Sequence, residues 1–384
     1  MRNKRLDILR SVAVITVILH HSGESTFFTR EGWTGVDLFF VLSGFLISGL
    51  LFSEYKRSQS INFKRFFIRR GLKIYPAFYV FLLLTGIIGE LVFHAHPSSG
   101  QYLHEVFFLM NYKHGVWDHT WSLAVEEHFY IFLPIFLFIL AKISSNRENP
   151  FRSIPKAAAV IAALCLIFRA ISVLAGKPNF TMAYIGSHER MDALFSGVLI
   201  GYFYHFRPAV LEKLMQPTRN RIAIAAASLC LLSSGYFYGR DSAFLATFGY
   251  SFIFLGFSGV LLLSLYVRGM LSGKFAWIME LVGSAAAYLG MYSYSIYLWH
   301  GPTAAWLPGF FRRTLGFPVG EYGRFTVYFV GSLVIGIVMS KLIEYPILRL
   351  RDRILPASYI VPVAAQVGIV PAPATSSNAP VPTT

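Results

Sequence analysis

At 384 residues the chain is long enough for two or three soluble domains, but its composition excludes them. Hydrophobic residues make up 55% and charged residues 14%, about half the usual charged share. The balance is basic, 34 Lys and Arg against 19 Asp and Glu; in a soluble protein this would indicate nucleic acid, in a membrane protein the positive-inside rule. Cys165 and Cys230 both lie inside apolar runs, which argues against a disulfide framework or a zinc site.

Read in chain order, apolar stretches of spanning length recur at about 6–22, 36–53, 74–93, 122–141, 157–175, 191–206, 222–238, 245–267, 284–306 and 325–345. The fold class expected is an all-α integral membrane protein of about ten transmembrane helices. The first stretch is no cleavable signal peptide, because Arg10 interrupts it and no small-residue cleavage site follows His20 and His21. With the N-terminus inside, 24 Lys and Arg fall on inner segments and 8 on outer ones, alternating loop by loop, with Arg10 and Arg169 within spans. Both termini are therefore expected in the cytoplasm, the basicity is topological, and nucleic acid is excluded as a partner. Residues 1–355 form one membrane domain. Residues 356–384, uncharged and rich in Pro, Ala, Ser and Thr, read as a disordered tail.

Ionisable side chains inside spans are costly and default to functional candidates. Toward the outer face stand His20 and His21, Asp37, Glu126, Glu127 and His128, Arg169, Arg190 and Asp192, and His300. Toward the inner face stand Asp7, Arg10, the run Lys64 to Lys73, and Glu344. Arg10 and His21 are eleven residues apart, about 20° beyond three full turns, so they share one helix face about 16 Å apart, while His20 points about 100° away. Structural readings stand beside these: Arg10 snorkelling and His21 bonded at an interface, Asp37 and Asp192 as helix N-caps, and His300 in an aromatic belt. Arg169 can simply neutralise an acid, and the basic run can lie on anionic lipid. Glu126 and Glu127, being consecutive, are not expected to face one interior together; one would face the cavity while the other pairs locally or meets headgroups.

Seven ordered segments resemble the membrane acyltransferase family 3. They are LDILRSVAVITVILHH (6–21), GVDLFFVLSGFLISG (35–49), FKRFFIRRGLKIYPAFY (63–79), WSLAVEEHFYIFLP (121–134), ERMDALFSGVLIG (189–201), YSIYLWHGP (294–302) and EYPILR (344–349). The resemblance implies O-acyl transfer from cytoplasmic acyl-CoA, commonly acetyl-CoA, to a hydroxyl of an envelope glycan or glycolipid. The location it implies is a bacterial inner membrane. Its first-helix Arg and His signature falls on Arg10 and His21, and its Arg-x-x-Arg signature on Arg70 and Lys73, where Lys keeps the charge and loses the fork. Arg65 and Arg69 join these as candidate donor contacts, and Asp37, Arg169, Arg190, Asp192 and His300 as supporting residues. Some members carry an appended hydrolase-like domain, which this chain is expected to lack.

CoA is made in the cytoplasm and carries phosphates that suit an Arg and Lys cluster. Its thin arm would present the thioester near His21, whose neutral imidazole accepts the acceptor hydroxyl's proton. Glu126 or Glu127 would orient the ring. No metal or bound cofactor is called for, and acyl-CoA enters as co-substrate. Direct transfer is preferred to an acyl-enzyme, and the oxyanion donors are not legible. Two other classes compete: a secondary transporter with an intramembrane Asp, Glu and His proton relay, and a lipid- or glycan-binding subunit without chemistry.

Overall fold

The computed structural model describes residues 3–22, 31–175, 184–238, 242–266, 274–315 and 320–356. Apart from Pro356, the expected tail lies outside them. All regular secondary structure among the described residues is helical, with no strand. Eleven helices have 17 residues or more: α1 (Lys4–His20), α2 (Gly35–Ser58), α3 (Phe63–Phe93), α5 (Trp121–Ile143), α6 (Ile154–Leu174), α7 (Ser187–Phe206), α9 (Thr218–Phe237), α10 (Tyr250–Tyr266), α11 (Lys274–Met291), α12 (Ser293–Leu315) and α13 (Glu321–Met339). Three are short: α4 (Ser99–Val106), α8 (Pro208–Met215) and α14 (Tyr345–Ile354). Among the described residues six helical stretches are long and apolar enough to cross a membrane: Gly32–Ser58, Phe63–Phe93, Asp118–Ile143, Ile154–Leu174, Leu245–Tyr266 and Glu321–Ile354.

Two expectations change. The single span read over 284–306 is two helices, α11 and α12, parted at Tyr292. Gly290 of α11 packs so tightly on α1 that an added Cβ would lie 1.8 Å from the Asp7 carbonyl oxygen, and Lys4 bonds both Glu280 and Ser284 of α11. The span read over 74–93 starts earlier, at Phe63, with the basic run forming the opening turns of α3. Asn62 caps that helix by accepting the Arg65 N–H at 2.9 Å.

The most extensive helix contact joins α2 to α7. Lipid tails are as apolar as the side chains they would displace, so such helices pack through small residues and close backbone approach. A Cβ on Gly44 would sit 1.9 Å from the Leu194 carbonyl oxygen, and one on Gly197 would sit 2.1 Å from that of Val41. Buried charge reinforces this contact and the neighbouring one between α6 and α7. Asp37 of α2 pairs with Arg190 of α7, and Arg169 of α6 lies 2.8 Å from Asp192 of α7. Both arginines are fully buried. Removing one partner of such a pair costs about 3–5 kcal/mol, because a charge is left unpaired in a low dielectric.

Candidate active site

Three cavities follow one another through the helices. A basic chamber of about 740 Å³ is walled by Arg10, Arg70, Lys73, Arg349 and Arg351, set against Asp7, Glu344 and Asp352. A neck of about 60 Å³ follows; Arg10, Ser43, Arg70, Lys73, Ser293 and Tyr294 line both neck and basic chamber. Val36 and Tyr297 line both the neck and a third space, an aromatic chamber of about 570 Å³. Its walls carry Trp33, Tyr112, Trp117, Trp121 and Tyr184 together with His20, His21 and His119.

Arg10 therefore sits where basic chamber meets neck, and His21 lies in the aromatic chamber beyond it. His20 departs from expectation. It lines the same chamber as His21, with the two ring centroids 5.2 Å apart. The helix ends at His20, and the His21 N–H bonds Ile18 O at 3.1 Å as well as Val17 O, so 100° per residue no longer holds there.

The His21 ring is oriented by the backbone. Its Nδ1 is 2.9 Å from the Val17 carbonyl oxygen; a carbonyl only accepts, so Nδ1 carries the proton and the neutral ring presents Nε2 as a base. His300 lies 5.0 Å from His21 and 4.6 Å from His119, centroid to centroid. His300 Nδ1 donates to Tyr297 O, and His119 Nε2 donates to Leu298 O at 3.0 Å. His300 belongs to this cluster rather than to an interfacial belt, for it is fully buried and its Nε2 has no partner among the described residues. No group of three His, Cys, Asp or Glu among the described residues is arranged to hold a metal ion.

Glu126 and Glu127 do not take the place expected of an orienting carboxylate. Both line the neck. Glu126 Oε1 accepts the Ser43 hydroxyl at 2.6 Å and its Oε2 the Tyr130 hydroxyl at 2.5 Å. Arg70 stacks 3.8 Å over the Tyr130 ring and lies 4.0 Å from Glu126. Glu127 accepts the Tyr75 hydroxyl at 3.1 Å, and its buried Oε1 is left without a partner among the described residues.

The basic run divides. Arg70 and Lys73 face the cavities, whereas Arg65 and Arg69 line none of the three. Arg65 bonds Pro356 O; Arg69 bonds Leu355 O and, at 3.0 Å, Asp352. These two arginines tie α3 to the end of α14. Asp37, Arg169, Arg190 and Asp192 likewise line no chamber. Asp37 and Asp192 are not free N-caps; their carboxylates serve the buried ion pairs described above.

Several residues went unread in the sequence. His119 is one, and the carboxylate that supports it is another. Glu105, fully buried on α4, accepts Val116 N–H at 3.0 Å, Trp117 N–H at 2.9 Å and the Thr120 hydroxyl at 3.0 Å. It thus shapes the loop ahead of α5 that delivers His119. Burial pushes its carboxyl up to about 7 against the pull of those donors. The signal available was DHT directly ahead of WSLAVEEHFY; Glu105 itself, on a short polar segment, gave none.

A sequence family described as an acyltransferase domain matches residues 3–341. The chain is 29% identical over 318 residues to the peptidoglycan O-acetyltransferase OatA of Listeria monocytogenes, covering 77% of this chain and 48% of that protein. It is 27% identical over 340 residues to YrhL of Bacillus subtilis, a proposed peptidoglycan O-acetyltransferase, covering 83% of this chain and 50% of the relative. A proposed O-acetyltransferase of Staphylococcus aureus is 26% identical over 319 residues, covering 77% and 49%. The chain thus spans about half the length of the curated relatives it matches. No solved structure matches it. With a match that runs from the first helix into the last turns before α14, the chain belongs to the membrane acyltransferase family.

Proposed function

We propose that this protein is a multi-pass O-acetyltransferase of a bacterial plasma membrane, taking acetyl from cytoplasmic acetyl-CoA and delivering it to a hydroxyl of an envelope glycan. Peptidoglycan, named for two relatives, is the acceptor proposed. The observation that carries this reading is a narrow neck joining a cation-walled chamber to an aromatic-walled one, with a histidine base beyond it. Cations suit the donor's phosphates, the neck suits its thin arm, and aromatic faces suit sugar rings. The opening of α1, the basic turns of α3 and helix α14 all line the basic chamber, and in this reading their Lys and Arg put that chamber on the cytoplasmic side. The transporter alternative finds no support among the relatives.

In the reaction proposed, His21 Nε2 takes the proton of the acceptor hydroxyl as its oxygen attacks the thioester carbonyl. The C–S bond then breaks, and the imidazolium returns the proton to the departing thiolate. Val17 O supplies the orientation once assigned to a carboxylate.

The test is reconstitution of the full chain in vesicles with radiolabelled acetyl-CoA outside and a glycan acceptor inside. Label on the acceptor, dependent on His21, is the expected result. Bound acetyl-CoA with neither transfer nor hydrolysis would sink the reading.

A further inference from the structure

We infer that Arg349 and Arg351, on the C-terminal helix α14, form the site that reads the 3′-phosphate of CoA. This rests on the donor reading above and extends it to residues outside the basic run of α3. Three observations support it.

The first is order along the path. Arg10, Arg70 and Lys73 stand where basic chamber and neck meet, whereas Arg349 and Arg351 line the basic chamber alone. With the thioester threaded through the neck, the pantetheine arm follows and the diphosphate comes next. The phosphorylated ribose, at the far end of the donor, then falls furthest from the neck. The cations that line only the chamber meet that end.

The second is availability. Arg349 makes no ion pair or hydrogen bond with any described residue, yet it stands in the wall of a chamber of about 740 Å³. A guanidinium presents a planar fork that matches a phosphate monoester with two parallel N–H···O bonds. Third is the way its neighbour is held. Asp352 takes the Arg351 Nε at 2.9 Å and Nη2 at 2.8 Å, and the same Oδ1 takes Arg69 at 3.0 Å. Arg69, Asp352 and Arg351 make one chain of charge between α3 and α14, with Arg69 also bonded to Leu355 O. Arg69 is thereby a positioning residue, holding α14 against the chamber rather than touching the donor.

The experiment compares CoA with 3′-dephospho-CoA, binding to the full chain in detergent by calorimetry. Wild type should bind CoA at least tenfold more tightly than dephospho-CoA. Arg349→Ala should lose most of that preference by weakening CoA alone, and Arg349→Lys should keep part of it. Arg351→Ala should reduce it further when combined with Arg349→Ala. Lys73→Ala, at the neck, should weaken both ligands alike and leave the ratio standing, which also shows that a weakened site can retain the preference. An unchanged ratio in the Arg349→Ala, Arg351→Ala double variant, with both ligands still bound, would overturn the assignment and leave the donor reading intact. Failure of wild type to bind CoA at all would remove both.

Discussion

The two chambers on either side of the neck are built on opposite principles. The basic chamber keeps its cations accessible: Arg349 is exposed, and Arg70 and Lys73 project where two cavities meet. Around the aromatic chamber the imidazoles and one buried carboxylate are committed to the backbone. His21, His119 and His300 each give one ring N–H to a main-chain carbonyl, and Glu105 takes two main-chain N–H groups. Clustered cations suit capture of a polyanion, whereas fixed imidazole tautomers suit a proton transfer that needs one lone pair in one direction. The difference separates holding from reacting.

If that separation is functional, substitutions in the two chambers should fail differently. The largest effect is expected at His21. His21→Ala should lose about 10²- to 10⁴-fold in turnover while acetyl-CoA still binds. His20→Ala, which leaves the ring of His21 oriented by Val17 O, should be much milder. Equal losses in the two, read as kcat, would show that position in the chamber matters and ring orientation does not. Next comes Lys73→Ala, which should weaken donor binding by about tenfold or more, the scale of one charge-assisted contact. Loss of turnover with donor affinity unchanged would erase the contrast between chambers.

Glu105 sharpens the same comparison at smaller cost. Glu105→Ala leaves the N–H groups of Val116 and Trp117 without their acceptor, at about 1–3 kcal/mol for each buried group. Hydrogen exchange should show the loop ahead of α5 opening while α3 keeps its protection. Its pH dependence has a definite sign. Because burial raises the carboxyl from 4.5 to about 7, the folded loop binds more protons than the open one over that interval, and its stability falls as pH rises through it. Glu105→Gln should flatten this dependence; a loop that instead tightens with rising pH would contradict it. The smallest effect is expected at Arg65, whose bond to Pro356 O lies at an exposed position. Arg65→Ala should change donor affinity less than twofold, and a loss as large as that of Lys73→Ala would restore it to the donor site.

The helical membrane architecture was legible because spanning length and hydropathy are strong signals, and Arg10, His21, Arg70 and Lys73, which the structure sets along cavities, were singled out because ionisable groups are costly in lipid and the resemblance falls on the same positions. Three errors have separate physical causes. The break at Tyr292 was invisible because α11 and α12 are both apolar and no Pro or charge parts them. His20 was misplaced because a helix period was carried one residue past the helix end. Glu126 and Glu127 were assigned to His21 by analogy with catalytic triads, yet Ser43, Tyr130 and Tyr75, three ordinary residues in apolar runs, claim them. Distant partners of this kind carry no local pattern. Asp37 and Arg190, 153 positions apart, were each noticed, but nothing in the sequence said that they meet.

The close contact of α2 with α7 has a mechanical consequence. Gly44 lies against the backbone of α7 and its neighbour Ser43 holds Glu126 in the neck, so α2 can neither rotate nor slide without driving backbone into backbone. One side of the passage is in effect a fixed jaw. Helix α3, which also lines the neck through Arg70 and Lys73, has only 33% of its apolar stretch buried against 72% for α2 and contains Pro76, where a helix lacks one of its own bonds. α3 is fastened to its neighbours by side-chain bonds such as those of Arg69 and Tyr75, so any widening of the passage is expected on its side. A covalent tether between α2 and α7 should then leave acetyl transfer at its normal rate, and one that fastens α3 to α12 should stop it.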